Sequence, residues 1–339
     1  MSNRTMSDQR QITVLIGEPI PPHHFAPAGE SMDPVRVLVV PLKEFGAPTA
    51  LDAMPPVLAE ESQTVEILAL FDSSLPADTL TRFPNLRWIH LFGAGANRAL
   101  DLGLFESPVQ ITNARGVAAR PMAEWVLLCM LALLRRLPDL VRQQERHTWN
   151  RHPAKELAGK TVGLIGLGAV GREVARLASA LDMRVVAVRR RPSHGELPAG
   201  VAREYGPDAL PLLLHQSDFV AICVPLTGET RFMIGAREIA TMKPTAFLIN
   251  VSRGGIVDEA ALAQALREGR LAGAALDVFE HEPLPADSPW WTMPNVLVSP
   301  HQAGWSERTW ERTLELFAEN LQRYCAGRPL LNRLGPGGY

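Results

Sequence analysis

Cysteine is scarce in this chain, and the three present, Cys129, Cys223 and Cys325, form no CxxC pair. An odd number of widely separated thiols in apolar surroundings excludes a disulfide scaffold and a thiolate zinc site, and predicts buried thiols in a reducing compartment. An excess of charge is missing too: 34 basic residues stand against 36 acidic ones, a formal net charge of -2. No global basic field is available for nucleic acid or an anionic membrane, so small molecules are the expected partners. Long hydrophobic runs are absent. The longest, residues 125–134, is too short to span a bilayer, and the N-terminus lacks the basic region and apolar core of a secretory signal. The expected location is cytoplasmic, without membrane contact. The nine histidines, the pair His23 and His24 included, show no ligand constellation, so no metal site is expected.

What is present is most informative at residues 161–172, TVGLIGLGAVGR. A short apolar strand runs into Gly166, Gly168 and Gly171, the spacing that cradles a dinucleotide pyrophosphate at a helix N-terminus. Gly166 permits the tight turn, Gly168 lets the backbone approach the phosphates, and Gly171 lets helix and strand pack closely; Ala169 and Val170 lie between them. Alone the triplet is a weak signal. Its context is that of a βαβ unit, since Val174, Ala175, Leu177 and Ala178 follow at helical spacing and residues 183–188 read as a second strand. NAD-preferring sites place an acid at the end of that strand, where this chain has Arg189, Arg190 and Arg191. Guanidinium groups bind a 2′-phosphate that a carboxylate would repel, so NADP(H) is favoured over NAD(H). A solvated surface run is the competing reading of the three arginines.

The chain of 339 residues, 46% hydrophobic and 21% charged, is long enough for two domains. Residues 1–10 read as loose and 17–34 as proline-rich irregular chain. Short apolar runs at 12–16, 35–40, 65–70 and 86–91 read as strands, 77–83 as a brief helix and 118–137 as a long one. Strands recur at 219–224, 246–251, 273–278 and 295–299, with helical stretches at 236–242, 258–268 and 306–325. This alternation predicts an α/β protein of two Rossmann-like or flavodoxin-like domains, each a doubly wound parallel sheet, with a cleft between them. The expected boundaries are 118–301 for a dinucleotide-binding domain, and 1–117 with 302–339 for a discontinuous substrate domain. Ligands of such sheets sit at the carboxyl ends of the strands, so the polar residues there are the candidates for chemistry.

Three such segments stand out: NVSRGGIVD at 250–258, LDVFEHEP at 276–283, and VSPHQAGW at 298–305. Together with VPLTGET at 224–230 they resemble the D-isomer-specific 2-hydroxyacid dehydrogenase family, over about residues 84–331. The resemblance implies NAD(P)-dependent interconversion of small 2-oxo acids and D-2-hydroxy acids, of the glyoxylate or hydroxypyruvate reductase type. Arg253, Glu282 and His301 match the family's catalytic trio. The chemistry suits them: a guanidinium grips a carboxylate through paired hydrogen bonds, and an imidazole exchanges protons near neutrality. Glu282 would then orient the imidazole. Spacing alone does not separate Glu282 from Glu280, or His301 from His281; the family pattern selects the first of each pair.

By the same resemblance, Gly93, Ala94 and Gly95 would turn backbone N–H groups toward the substrate carboxylate, although a simple tight turn also accounts for them. Pro225 and Thr230 would line the adenosine and pyrophosphate side, and Arg253, Asp277 and Gly304 would border the nicotinamide. Val224, Val251, Ser252 and His301 would also bind the cofactor, with Arg253 and His301 meeting the substrate as well. Ala123 and Glu124 match a segment that crosses to a partner subunit, which implies a homodimer. Residues beyond 325 are too few for an added regulatory domain. A nucleotide-sensing binding protein without turnover is the alternative on the same fold.

Overall fold

Strands such as Val65–Leu70 and Thr161–Ile165 are apolar at consecutive positions, as parallel strands covered on both faces must be, and every residue in these two is buried. The computed structural model describes residues 12–17, 35–39, 61–193 and 195–335. The chain divides into two units, residues 1–117 with 310–339, and residues 118–309. Residues 302–309, expected with the first domain, group with the second.

In the first unit, β1 (Ile12–Ile16), β2 (Val35–Val39), β3 (Val65–Leu70), β4 (Trp88–Leu91) and β5 (Gln110–Asn113) form a sheet in the order β2-β1-β3-β4-β5, every pair parallel. Side chains alternate across it. Leu15, Leu68, Leu70 and Ile89 pack with Leu75 and Phe83 on one face. Val14, Ile67, Ala69 and Trp88 meet Leu314, Phe317 and Leu321 of the helix Thr309–Cys325 on the other. Within that face Thr112 Oγ1 accepts from Trp88 Nε1 and lies 2.8 Å from His90 Nδ1, both at 2.8 Å, while His90 Nε2 has no partner among the described residues. Burial pushes the His90 pKa down to about 3.

In the second unit, β6 (Thr161–Ile165), β7 (Arg184–Val188), β8 (Arg203–Tyr205), β9 (Phe219–Ile222), β10 (Phe247–Asn250), β11 (Gly273–Leu276) and β12 (Val296–Val298) lie in the order β12-β11-β10-β9-β6-β7-β8. The chain steps outward from β6 through β7 to β8, then crosses back to place β9 on the other side of β6. Strand order therefore reverses between β6 and β9, the place where such sheets bind ligands. Val162, Leu164, Val185 and Ala187 pack against the helices Ala119–Leu134 and Ala169–Ser179. Ile165, Val186 and Val188 face the opposite way, among Leu213, Leu262 and Leu266.

Several expectations are corrected. The pattern at 118–137 is broken by Arg136, whose φ of 55 puts it in the left-handed region and starts a second helix, Leu137–Glu145. Strands β5 and β8 and the helices Asn97–Asp101 and Leu210–Gln216 were not predicted. Cys129 is buried, but Cys325 is exposed at the end of its helix. Residues 1–10, 18–34 with His23 and His24, and 336–339 lie outside the described residues. Among those described, no helix is long and apolar enough to cross a membrane, and no cluster of metal-ligating side chains occurs.

His90 makes stability depend on acid. The unfolded chain takes up a proton as pH falls through the ordinary histidine value of 6.5, whereas the folded chain resists until about 3. Stability from this group is thus complete above the first value and lost progressively between the two. Urea unfolding should show a smaller loss of stability between neutral and mildly acidic pH in His90→Phe than in the parent. An equal loss in both would contradict this.

Candidate active site

The three motif glycines meet three different constraints. Gly166 has φ +98, and a Cβ there would lie 2.7 Å from Val224 Cγ1 and 2.8 Å from the Cys223 carbonyl oxygen. A Cβ on Gly171 would collide with the Gly166 carbonyl, which fixes how closely the helix lies on the strand. Gly168 is different, because a Cβ there would meet no atom within 4 Å. It is the N-cap of Ala169–Ser179 and provides no side-chain cap, so the first N–H groups of that helix face open space. The glycine keeps this anion-attracting terminus clear, as a bound pyrophosphate requires, and the residues fit a dinucleotide.

Arg189 follows β7 and is partly buried. Its Nη1 lies 3.3 Å from Ser193 Oγ and 3.6 Å from Oε1 of Glu204 on β8. Glu204 in turn accepts from the Ser193 N–H at 2.6 Å. Arg190 and Arg191 are exposed. After β9, Thr230 Oγ1 donates to the Pro225 carbonyl at 2.6 Å and accepts from Thr227 N–H at 2.7 Å, closing the turn at 224–230 on itself. Ser252 Oγ donates to the Val224 carbonyl and so joins this turn to the segment after β10.

That segment carries Arg253. Asn250, buried at the end of β10, donates from Nδ2 to the Arg253 carbonyl at 3.0 Å and accepts the Ser252 N–H at 3.1 Å. Arg253 Nη1 donates to the Ser252 carbonyl at 2.7 Å. Val251 is buried behind it. A Cβ on Gly254 would overlap the Phe279 carbonyl, so two backbones run in contact and bring the Arg253 and Glu282 segments together.

Glu282 and His301 form the pair that spacing could not assign. His301 Nδ1 lies 2.7 Å from Glu282 Oε2, while Glu282 Oε1 accepts the Phe279 N–H at 2.9 Å. Burial raises the Glu282 pKa, but the bonds from His301 and Phe279 and the positive charges of His301 and Arg253 outweigh it, holding the carboxyl below its usual range. Glu280 is instead held through its own N–H, which donates to Glu259 Oε1 at 2.6 Å. His301 has φ 51, in the left-handed region. Asp277, 2% exposed, accepts from Ser299 Oγ at 2.6 Å, Gln302 N–H at 3.0 Å and Ala303 N–H at 2.9 Å. Gly304 packs against Ala118 and Met122.

In the first unit, the turn after β4 has its carbonyls occupied: Gly93 O accepts from Ala114 N–H at 3.0 Å and Ala94 O from Asn113 Nδ2 at 2.6 Å. The N–H groups of Gly93, Ala94 and Gly95 have no acceptor among the described residues, as an anion nest would require.

Sequence reasoning missed the supporting residues. Glu259 and Glu204 act on backbone groups 21 and 11 residues away in sequence, whereas Asn250 braces Ser252 and Arg253 just beyond it, and only its position at a strand end hinted at its part. Glu259 also accepts from Trp290 Nε1 at 3.2 Å.

A doubly wound sheet with a bare helix terminus at its reversal point and polar side chains at its strand ends defines a dinucleotide-dependent oxidoreductase. A family model described as "D-isomer specific 2-hydroxyacid dehydrogenase, NAD binding domain" matches residues 127–303. A glyoxylate reductase of Korarchaeum cryptofilum is 37% identical over 81% of this chain and 85% of its own length. A glycerate dehydrogenase of Methylorubrum extorquens is 34% identical over 81% of this chain and 87% of its own. Among solved structures, a D-isomer specific 2-hydroxyacid dehydrogenase family protein from Aeromonas salmonicida superposes with a TM-score of 0.82 at 31% identity, covering 96% of this chain and 100% of that one. An NADPH-dependent glyoxylate/hydroxypyruvate reductase from Sinorhizobium meliloti, in complex with NADP and sulfate, gives 0.80 at 27% identity, covering 97% and 100%. The chain belongs to the D-isomer specific 2-hydroxyacid dehydrogenase family, and its second unit carries that family's nicotinamide-dinucleotide-binding domain.

The glycines should respond oppositely to alanine. Gly171→Ala should cost about 1–3 kcal/mol of stability, because the added methyl meets backbone that cannot yield. Gly168→Ala should leave stability unchanged and weaken dinucleotide binding by about tenfold or more. Urea unfolding and fluorescence titration read the two effects, and equal stability of the two variants would contradict the assignment.

Proposed function

We propose that this chain is an NADPH-preferring reductase of small 2-oxo acids, with glyoxylate and hydroxypyruvate as substrates, yielding D-2-hydroxy acids where the product is chiral. The observation that carries the reading is the Glu282–His301 pair at 2.7 Å, set at the strand ends beside Arg253. The names of the relatives support the substrate class. When bound, the nicotinamide supplies the hydride. His301 gives the proton: with Nδ1 committed to Glu282, Nε2 is the nitrogen left to donate to the carbonyl oxygen in reduction and to accept from the hydroxyl in oxidation. Glu282 holds the ring in one orientation through this bond. Arg253 grips the substrate carboxylate and polarises the carbonyl through its remaining N–H groups. Gly93, Ala94 and Gly95 are assigned to carboxylate binding because their N–H groups have no acceptor among the described residues.

For the cofactor, Val224, Pro225, Thr230, Val251, Ser252 and Gly304 are assigned to the dinucleotide together with the motif residues. NADP(H) preference rests on Arg189 and Arg190 in place of an acid after β7, and the NADP complex of the Sinorhizobium relative agrees with it. A homodimer is proposed from Leu128, Leu131, Leu137, Leu140 and Val141, apolar side chains exposed along two consecutive helices, where a second copy would cover them. Light scattering should give twice the chain mass; a monomer would contradict the dimer.

Initial-rate assays with NADPH and NADH against glyoxylate, hydroxypyruvate, pyruvate and phenylpyruvate test the activity. Turnover should favour NADPH and the two smaller polar acids. His301→Ala should lower kcat by about 10²–10⁴ while retaining dinucleotide binding. Arg189→Asp should shift the cofactor ratio toward NADH. Tight dinucleotide binding without turnover of any 2-oxo acid would contradict the proposal and favour a sensing protein.

A further inference from the structure

We propose that Glu204, on the edge strand β8, sets how far this chain discriminates NADPH from NADH, because its buried carboxylate takes up part of the charge that Arg189 offers to a 2′-phosphate. This rests on the reading of Arg189 as the phosphate-binding cation. The sheet brings the two together. Ala187 of β7 pairs with Glu204 of β8, and Arg189, two residues beyond Ala187, projects on the same face. The Arg189 N–H donates to the Tyr205 carbonyl at 3.1 Å and the Gly166 N–H to the Val188 carbonyl at 2.8 Å, so the arginine leaves the sheet directly beside the glycine turn. Its Nη1 lies 3.6 Å from Glu204 Oε1, too far for a hydrogen bond but close enough for the charges to act on each other.

The Glu204 side chain is 2% exposed although β8 lies at the edge of the sheet, because residues 189–193 fold back over it. A Cβ on Gly206 would lie 3.9 Å from Pro192 Cγ, and Ser193 donates to Glu204 from its N–H at 2.6 Å and from Oγ at 3.1 Å. Arg189 Nη1 lies 3.3 Å from the same Oγ. The carboxylate thus has two hydrogen-bond donors besides the arginine. A glutamine keeps both contacts, its oxygen facing the Ser193 N–H and its amide donating to Oγ, so the loop can be closed without a charge. What the charge adds is electrostatic: it weakens the pull of Arg189 on a phosphate and repels that phosphate itself. NADH carries a neutral hydroxyl at this place and is untouched by it.

Glu204→Gln tests this, with Arg189→Asp as reference, by fluorescence titration of each protein with NADPH and with NADH. Glu204→Gln should bind NADPH about 3–10-fold more tightly, the effect of one unit charge a few ångströms away near a protein surface, while NADH affinity stays within about twofold. A residue that only braced the loop would move both cofactors together or weaken NADPH. Glu204→Ser removes the charge and the brace, and should also raise NADPH affinity relative to NADH, since the Arg189 backbone stays tied to Tyr205; it decides the matter if Glu204→Gln does not fold. NADPH affinity unchanged or reduced relative to NADH, with Arg189→Asp shifted toward NADH, would overturn this inference alone. An unchanged cofactor ratio in Arg189→Asp would overturn the reading of Arg189, and this inference with it.

Discussion

The hydrogen bond of 2.7 Å between Glu282 and His301 joins residues 19 apart in sequence, and the rest of the site is arranged so that it can form. Two opposing effects meet at Glu282. Burial favours the neutral acid, while the imidazole, the Phe279 N–H and the charge of Arg253 favour the carboxylate, and the second group prevails. A charge-assisted bond of this kind contributes about 1.5–3 kcal/mol. It outweighs the partial desolvation because the carboxylate is only half-buried and keeps a share of its hydration. The result is an ionised acceptor that holds one imidazole nitrogen in place.

The parallel sheet makes this convergence possible. All seven strands of the second unit run the same way, so every polar residue just past a strand lies on one edge. Proximity then depends on backbone-to-backbone packing, which glycine alone permits. Gly166 lies against Cys223 and Gly254 against Phe279, each binding one strand exit to another, while Gly171 against Gly166 binds the following helix to its strand. Asn250 and Glu259 satisfy backbone groups of the exits themselves, Asn250 at Ser252 and Arg253, Glu259 at Glu280. A rigid set of strand exits is what turns scattered residues into one site.

Much of this was legible in the sequence, for physical reasons. Strands buried on both faces read as continuous apolar runs, so β3, β4, β6 and β9 were visible to within a few residues. The glycine triplet was visible because backbone contact leaves no alternative residue. β8, an edge strand of Arg203–Tyr205, and β5, with Gln110 and Asn113 at its ends, have too little apolar content to stand out. The break at Arg136 was invisible because arginine carries no preference for positive φ. At the site, Arg253, Glu282 and His301 were reached through family resemblance, but spacing could not choose Glu282 over Glu280. That choice shows only in the fold, where Glu282 Oε2 lies 2.7 Å from His301 Nδ1, a contact between residues 19 apart that no local pattern records.

The central claim is that these strand ends deliver a proton and position a 2-oxo acid so that hydride reaches one defined face of its carbonyl. The most direct measurement is the configuration of glycerate formed from hydroxypyruvate and NADPH, read by chiral chromatography. The account predicts D-glycerate, formed in step with NADPH consumption. L-glycerate, a racemic product, or NADPH consumption without glycerate would contradict it.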